Sequence, residues 1–95
     1  MARSKKLNAK RRVRFIYLGQ PGQQVYLAGD FNAWSTDKKV MLDKSGTGEF
    51  VALCVLLPGI YQYKFLVDGL WVLDQNNPNF KLNEFGSHNS VLEVQ

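Results

Sequence analysis

Tyr61-Gln62-Tyr63-Lys64-Phe65-Leu66-Val67-Asp68-Gly69-Leu70-Trp71 is an aromatic-rich strand that enters an Asp-Gly turn and leaves it at once. Asp-Gly between two apolar runs is the strongest short-range hairpin signal, because a type I′ turn needs positive φ at both central residues. A two-residue turn sets Val67 opposite Leu70, Leu66 opposite Trp71 and Phe65 opposite Val72. Side chains alternate along a strand, so Tyr61, Tyr63, Phe65 and Val67 share one face with Leu70 and Val72. Lys64 and Leu66 share the other with Trp71. The first face reads as core. The second sets a cation diagonal to a large aromatic ring, and any chemistry is to be sought there.

The same alternation and punctuation extend in both directions from the hairpin. Residues 12–18 alternate at first and read as a strand with Val13, Phe15 and Tyr17 on one face. Pro21-Gly22 marks a turn, and residues 24–29 form a second strand. Residues 30–35 then break the β pattern, with Asn32 and Ser35 suited to side-chain-to-backbone turns. Residues 38–42 read as a short strand or edge, and 43–48 as a turn cluster. Residues 49–56 are a nearly continuous apolar run, expected to be buried on both sides or to flank the core. Pro58-Gly59 leads into the hairpin, whose second arm is 70–73. Residues 74–86 read as one long polar loop, and 89–94 as the last strand. No segment holds a 3.6-residue period and turn signals recur every eight to twelve residues. That rhythm predicts an all-β sandwich or barrel of about seven short strands.

At 95 residues the chain is one domain with a single modest core. Hydrophobic content of 45% is globular rather than disordered. The lone Cys54 excludes a disulfide framework and a multi-cysteine metal site, and its place in the 49–56 run predicts a buried, inert thiol. No apolar run approaches the roughly 20 residues needed to span a bilayer. The basic N-terminus has no apolar stretch behind it, which argues against a signal peptide. Together these features predict a reducing, cytoplasmic setting. The opening Met1 favours a free-standing chain over a domain cut from a longer one.

Charge is unevenly spread. Arg3, Lys5, Lys6, Lys10, Arg11, Arg12 and Arg14 give +7 in the first fourteen residues with no acid among them. The remainder carries five lysines against eight acids, so the formal +4 of the chain belongs to its start. Residues 1–11 are expected to be a flexible basic arm, either simply solvating or able to hold a polyanion. The folded body, 12–95, shows no electrostatic footprint for nucleic acid.

Enzymatic readings find little support. His88 is the only histidine, so there is no metal cluster and no Ser-His-acid constellation; it reads as a loop or surface residue. Asp30, Asp68 and Asp74 each lie where a turn wants aspartate for backbone reasons, not as a paired acid and base. The glycines at 19, 22 and 29 open no helix, so there is no phosphate cradle, and no pattern calls for a cofactor. Recognition by surface aromatics is left. Trp34 lies in a turn-rich loop and Trp71 just after a tight turn, where indoles are hard to bury fully. A single tryptophan in such a place caps a core more often than it binds a ligand. Two of them, with Lys64 on the face of Trp71, favour a binding face. A sugar offers an apolar C–H face and a rim of hydroxyls, and so wants flat rings with amide or ammonium groups beside them. The same rings could stack on nucleobases, which keeps single-stranded nucleic acid as a competitor.

Val25-Tyr26-Leu27-Ala28-Gly29-Asp30-Phe31-Asn32-Ala33-Trp34, then Pro58-Gly59, then the 61–71 hairpin, closely resembles the glycogen-binding domain of AMP-activated protein kinase β subunits. That domain belongs to carbohydrate-binding module family 48 and is related to the isoamylase N-terminal early-set domains. Residues 86–94 also look like the family's terminal strand. The resemblance implies an immunoglobulin-like, early-set β-sandwich of seven to eight antiparallel strands. It also implies a non-catalytic role in binding α-1,4-linked glucans such as glycogen, starch and maltooligosaccharides. The family's two stacking tryptophans fall on Trp34 and Trp71, its sugar-contacting lysine on Lys64 and its hydrogen-bonding asparagine on Asn89. A leucine that enters the curve of the glucan, and a threonine close by, correspond here to Phe85 and Ser87. This departure bears on loop shape, affinity and preferred glucan length. A glucan-active enzyme or a kinase-type protein is the implied partner. Two other readings stay open: a scaffold or regulatory early-set domain that contacts proteins without binding sugar, and a nucleic-acid binder that uses the basic arm.

Overall fold

The computed structural model describes residues 9–95. The arm expected over 1–11 therefore lies mostly outside the described residues, and Arg11 opens the first strand. Eight strands follow in order: β1 Arg11–Leu18, β2 Val25–Gly29, β3 Val40–Met41, β4 Glu49–Leu56, β5 Gly59–Val67, β6 Leu70–Val72, β7 Phe80–Leu82 and β8 His88–Val94. A short 3-10 turn, Asp30–Asn32, interrupts them, and no α-helix occurs among the described residues. Among the described residues no helix is long and apolar enough to cross a membrane.

Every strand pair is antiparallel, and the strands form two sheets. β1 pairs with β4, and the larger sheet runs β3-β2-β5-β8-β7 with β6 added to β5. The all-β sandwich expected from the turn rhythm is the observed architecture. β5 is its axis. One edge of β5 carries β2; the other carries β8 along its first half and β6 along its second. The hairpin register is the one read from the sequence, with Val67 opposite Leu70, Leu66 opposite Trp71 and Phe65 opposite Val72. Asp68 and Gly69 take φ of 48° and 83°, as a type I′ turn requires. Asp68 also accepts a hydrogen bond from the Gln24 amide at 2.8 Å, so its carboxylate serves the backbone.

The core lies between the sheets. Phe15, Phe50, Ala52 and Leu56 from β1 and β4 meet Val25, Leu27, Tyr63, Phe65 and Val67 from β2 and β5. Phe15 and Tyr63 pack edge to face at 5.0 Å, and Tyr17 packs against Phe65 at 5.4 Å. Such pairs add to the burial term because ring edges are positive and faces negative. Tyr63 is the buried tyrosine of this cluster and brings a hydroxyl into it. Its hydroxyl donates to Asp74 at 2.6 Å and accepts from Asn77 at 3.1 Å, and Ser90 accepts from the Asp74 amide. Burial, then the Asp74 carboxylate, hold the phenol protonated far above its usual range. The 74–79 segment is thereby pinned to the sheet.

Of the two places expected for residues 49–56, β4 takes the second and flanks the core: Phe50, Ala52 and Leu56 face inward, while Leu53 and Val55 are exposed on the outer face of the two-stranded sheet. Three expectations need correction. Cys54 is only half-buried, and burial raises its thiol pKa against a smaller opposing effect of Lys39. Leu70 shares the core parity but is exposed, at the first position after the hairpin turn. The 74–86 segment is not one loop, because β7 forms inside it and pairs with β8. Polar composition hid a three-residue edge strand.

Candidate functional site

Local chemistry decides where Trp34 points. Asn32 accepts from the Gly29 amide at 3.0 Å and donates to the Leu27 carbonyl at 2.9 Å, closing the chain into a tight loop. Ala33 and Trp34 follow with φ of 55° and 57°, a left-handed conformation rare for residues with side chains. Each such residue costs on the order of 1–3 kcal/mol and persists only where its surroundings over-determine it. The Trp34 amide donates to Gly29 O at 2.9 Å, and the indole Nε1 donates to Asp30 Oδ1 at 3.0 Å. Asp30 Oδ2 in turn accepts the Gln62 amide at 2.7 Å. One carboxylate thus ties the indole to the central strand. Its backbone role was legible in the sequence; its hold on Trp34 was not.

Gly29 makes this loop possible by close approach rather than by an unusual φ. A Cβ there would lie 2.6 Å from the Gln62 carbonyl oxygen and 2.8 Å from Tyr63 Cβ, atoms that cannot swing aside. Gly29→Ala is expected to cost about 1–3 kcal/mol of stability by overpacking. It should also displace the Trp34 loop, so thermal melting and sugar titration should both register it. A substitution at Gly46, where an added Cβ meets nothing, tests only backbone strain and provides the contrast.

Trp71 stands on β6 and is 46% exposed. The rings of Trp34 and Trp71 meet edge to face, with centroids 6.3 Å apart and planes at 67°. Lys64 and Gln62 project from the same face of β5. On the far side of β8 the 83–87 turn forms a rim. Asn83 accepts from the amides of Phe85 and Ser87 at 2.9 and 3.1 Å, and Gly86 takes φ of 83°. Phe85, at the tip of this turn, is 85% exposed. Lys64 Nζ donates to Ser87 Oγ at 3.3 Å. Asn89 is largely buried, donating to Gln62 Oε1 at 3.0 Å and accepting from Asn83 at 3.1 Å.

Trp34, Lys64, Trp71, Asn89, Phe85 and Ser87 all line one open cleft of about 680 Å³. Sequence reasoning missed Asp30, Gln62, Leu82, Asn83 and Glu84, which also line it. Gln62 was within reach, because it has the parity of Lys64; Asp30 reaches the cleft through its bonds to Trp34 and the Gln62 amide, and Leu82, Asn83 and Glu84 depend on how the β7 to β8 turn folds back. No group of three or more metal-ligating side chains occurs among the described residues.

Residues 12–95 match a family model described as the glycogen recognition site of AMP-activated protein kinase. The chain is 40% identical over 80 residues to 5'-AMP-activated protein kinase subunit beta-2 of Mus musculus, covering 84% of this chain and 28% of that protein. It is 42% identical over 74 residues to subunit beta-1 of Sus scrofa, covering 78% of this chain and 57% of that sequence. The chain therefore spans little more than a quarter of the beta-2 relative. That family is a non-catalytic binding domain. With fold, hairpin and cleft in agreement, this chain belongs to the glycogen recognition site family of AMP-activated protein kinase β subunits.

Proposed function

We propose that the chain is a non-catalytic module that binds α-1,4-glucans such as glycogen, starch and maltooligosaccharides in a cytoplasmic setting. Trp34 and Trp71 stack on glucose rings, Lys64 and Asn89 hydrogen-bond hydroxyls, and Phe85 and Ser87 close the rim. The observation that carries this reading is a pair of indoles, Trp71 exposed and Trp34 half-buried, that line one cleft with their planes turned by 67°. Two platforms at such an angle suit successive sugars of a curved chain. A β-1,4-glucan is a flat ribbon and would leave one platform unused. Charge also favours a neutral ligand: among the described residues Lys64 is the one cation lining the cleft, beside Asp30 and Glu84. A polyanion would meet repulsion there, which speaks against nucleic acid.

Isothermal titration with maltoheptaose, with cellohexaose as the β-linked control, tests the proposal, as does retardation in native gels containing glycogen. Maltoheptaose should bind and cellohexaose should not. Adding salt or deleting the first eleven residues should leave sugar affinity nearly unchanged, whereas a nucleic-acid binder would weaken steeply. A contact with a kinase-type or glucan-active protein is a second, compatible element. Its support is the outer face of β1 and β4, where Leu53 and Val55 stand exposed beside Arg12 and Arg14. Leu53→Lys should abolish co-purification of such a partner and spare maltoheptaose binding.

A further inference from the structure

A chain of carboxamides crosses the floor of the cleft, and main-chain donors fix its polarity. The amides of Phe85 and Ser87 can only donate, so the Asn83 atom facing them must be its oxygen, and its Nδ2 turns inward. That Nδ2 donates to Ser87 Oγ at 2.9 Å and to Asn89 Oδ1 at 3.1 Å. With its oxygen thus engaged, Asn89 sends Nδ2 the other way, to Gln62 Oε1 at 3.0 Å. Gln62 Oε1 is taken, and its Nε2 has no acceptor among the described residues. The Gln62 backbone is itself held, its amide bonded to Asp30. Gln62 lines the cleft two residues before Lys64, on the same face of β5.

We infer that Gln62 is a further sugar-contacting residue, its amide nitrogen donating to a hydroxyl or ring oxygen of the bound glucan, with Asn89 and Asn83 as the residues that orient it. The inference rests on the glucan reading above. Beside the Lys64 ammonium, it makes the polar floor a set of donors, so the sugar oxygens in contact with it act as acceptors. A side chain whose other end is already bonded loses little rotamer freedom on binding, which makes this donor cheap to use.

The test is titration of maltoheptaose into the wild-type chain, Gln62→Glu, Gln62→Met and Asn83→Asp, with side-chain amide spectra recorded by NMR. Gln62→Glu still accepts from Asn89 but donates nothing, and Gln62→Met removes both roles. Both should bind about three- to tenfold more weakly, the usual worth of one hydrogen bond. Asn83→Asp still accepts from Phe85 and Ser87 but cannot donate to Asn89. It should move the Gln62 amide resonances in the free protein and weaken binding by a smaller factor. In the wild type those resonances should shift when maltoheptaose is added. Wild-type affinity in both Gln62 variants, or Gln62 resonances blind to the sugar, overturns the inference while leaving the glucan reading intact. A wild-type chain that does not bind maltoheptaose removes the glucan reading and this inference together.

Discussion

Trp71→Ala is expected to lower the affinity for maltoheptaose by about thirtyfold or more and to leave the melting temperature nearly unchanged. The two effects separate because of where the ring sits. Trp71 is 46% exposed and packs edge to face with Trp34 rather than in the core, so truncation opens no internal cavity. For binding it is a central aromatic anchor, and anchors of that kind cost about 2 kcal/mol or more when removed. Trp34→Ala should cost as much in affinity. It has a second consequence, since Asp30 Oδ1 loses its donor while Oδ2 keeps the Gln62 amide. Trp71→Phe, which keeps a smaller flat ring, should fall between wild type and alanine. Titration and thermal melting on the same samples check all three, and undiminished binding by the double alanine variant would remove the proposed site.

Phe65→Ala should do the reverse, costing about 3–5 kcal/mol of folding stability. That is a large share of the roughly 5–15 kcal/mol typical of a small domain. Phe65 is 1% exposed in the second half of β5, against Tyr17 at 5.4 Å and Tyr63 at 5.9 Å. The surrounding strands are tied on both edges of β5 and cannot collapse into the space. Chemical denaturation should show the loss as a lower midpoint with an unchanged slope. Its neighbour Lys64 provides the comparison, because it is half-buried on the cleft face and outside the core, so Lys64→Ala opens no core cavity and should change stability by about 0.5 kcal/mol or less. One residue apart, the two substitutions should strike different properties. β5 serves the core with one parity and the cleft with the other.

That division of β5 was readable before any coordinates, as was the register of its hairpin. Both follow from rules acting within a few residues: an Asp-Gly turn fixes which residues face each other, and alternation fixes which face each side chain takes. The resemblance to a glycogen-binding family was readable on the same grounds, because its motifs are contiguous stretches. Local rules failed where composition misled. The 74–86 segment looked like a loop because β7 is short and flanked by asparagines, and residues 49–56 left two readings open, buried on both sides or flanking the core, because the outward residues of β4 are also apolar. Neither could be settled without knowing what lay across from each strand.

The sequence by itself determined the hairpin, its two faces and the identity of the aromatic and polar groups available to a ligand. The tertiary structure alone decided that they converge. Trp34 reaches Trp71 because β2 lies against β5, and the 83–87 rim reaches Lys64 because β8 lies along β5's other edge with β7 beyond it. Strand order is a long-range outcome of burying one common core, so the cleft exists only once residues more than twenty positions apart share a sheet. The polarity of the floor has the same origin. Asn83, Asn89 and Gln62 are ordinary amides in the sequence, and they acquire direction only when the Phe85 and Ser87 main-chain donors meet the first of them.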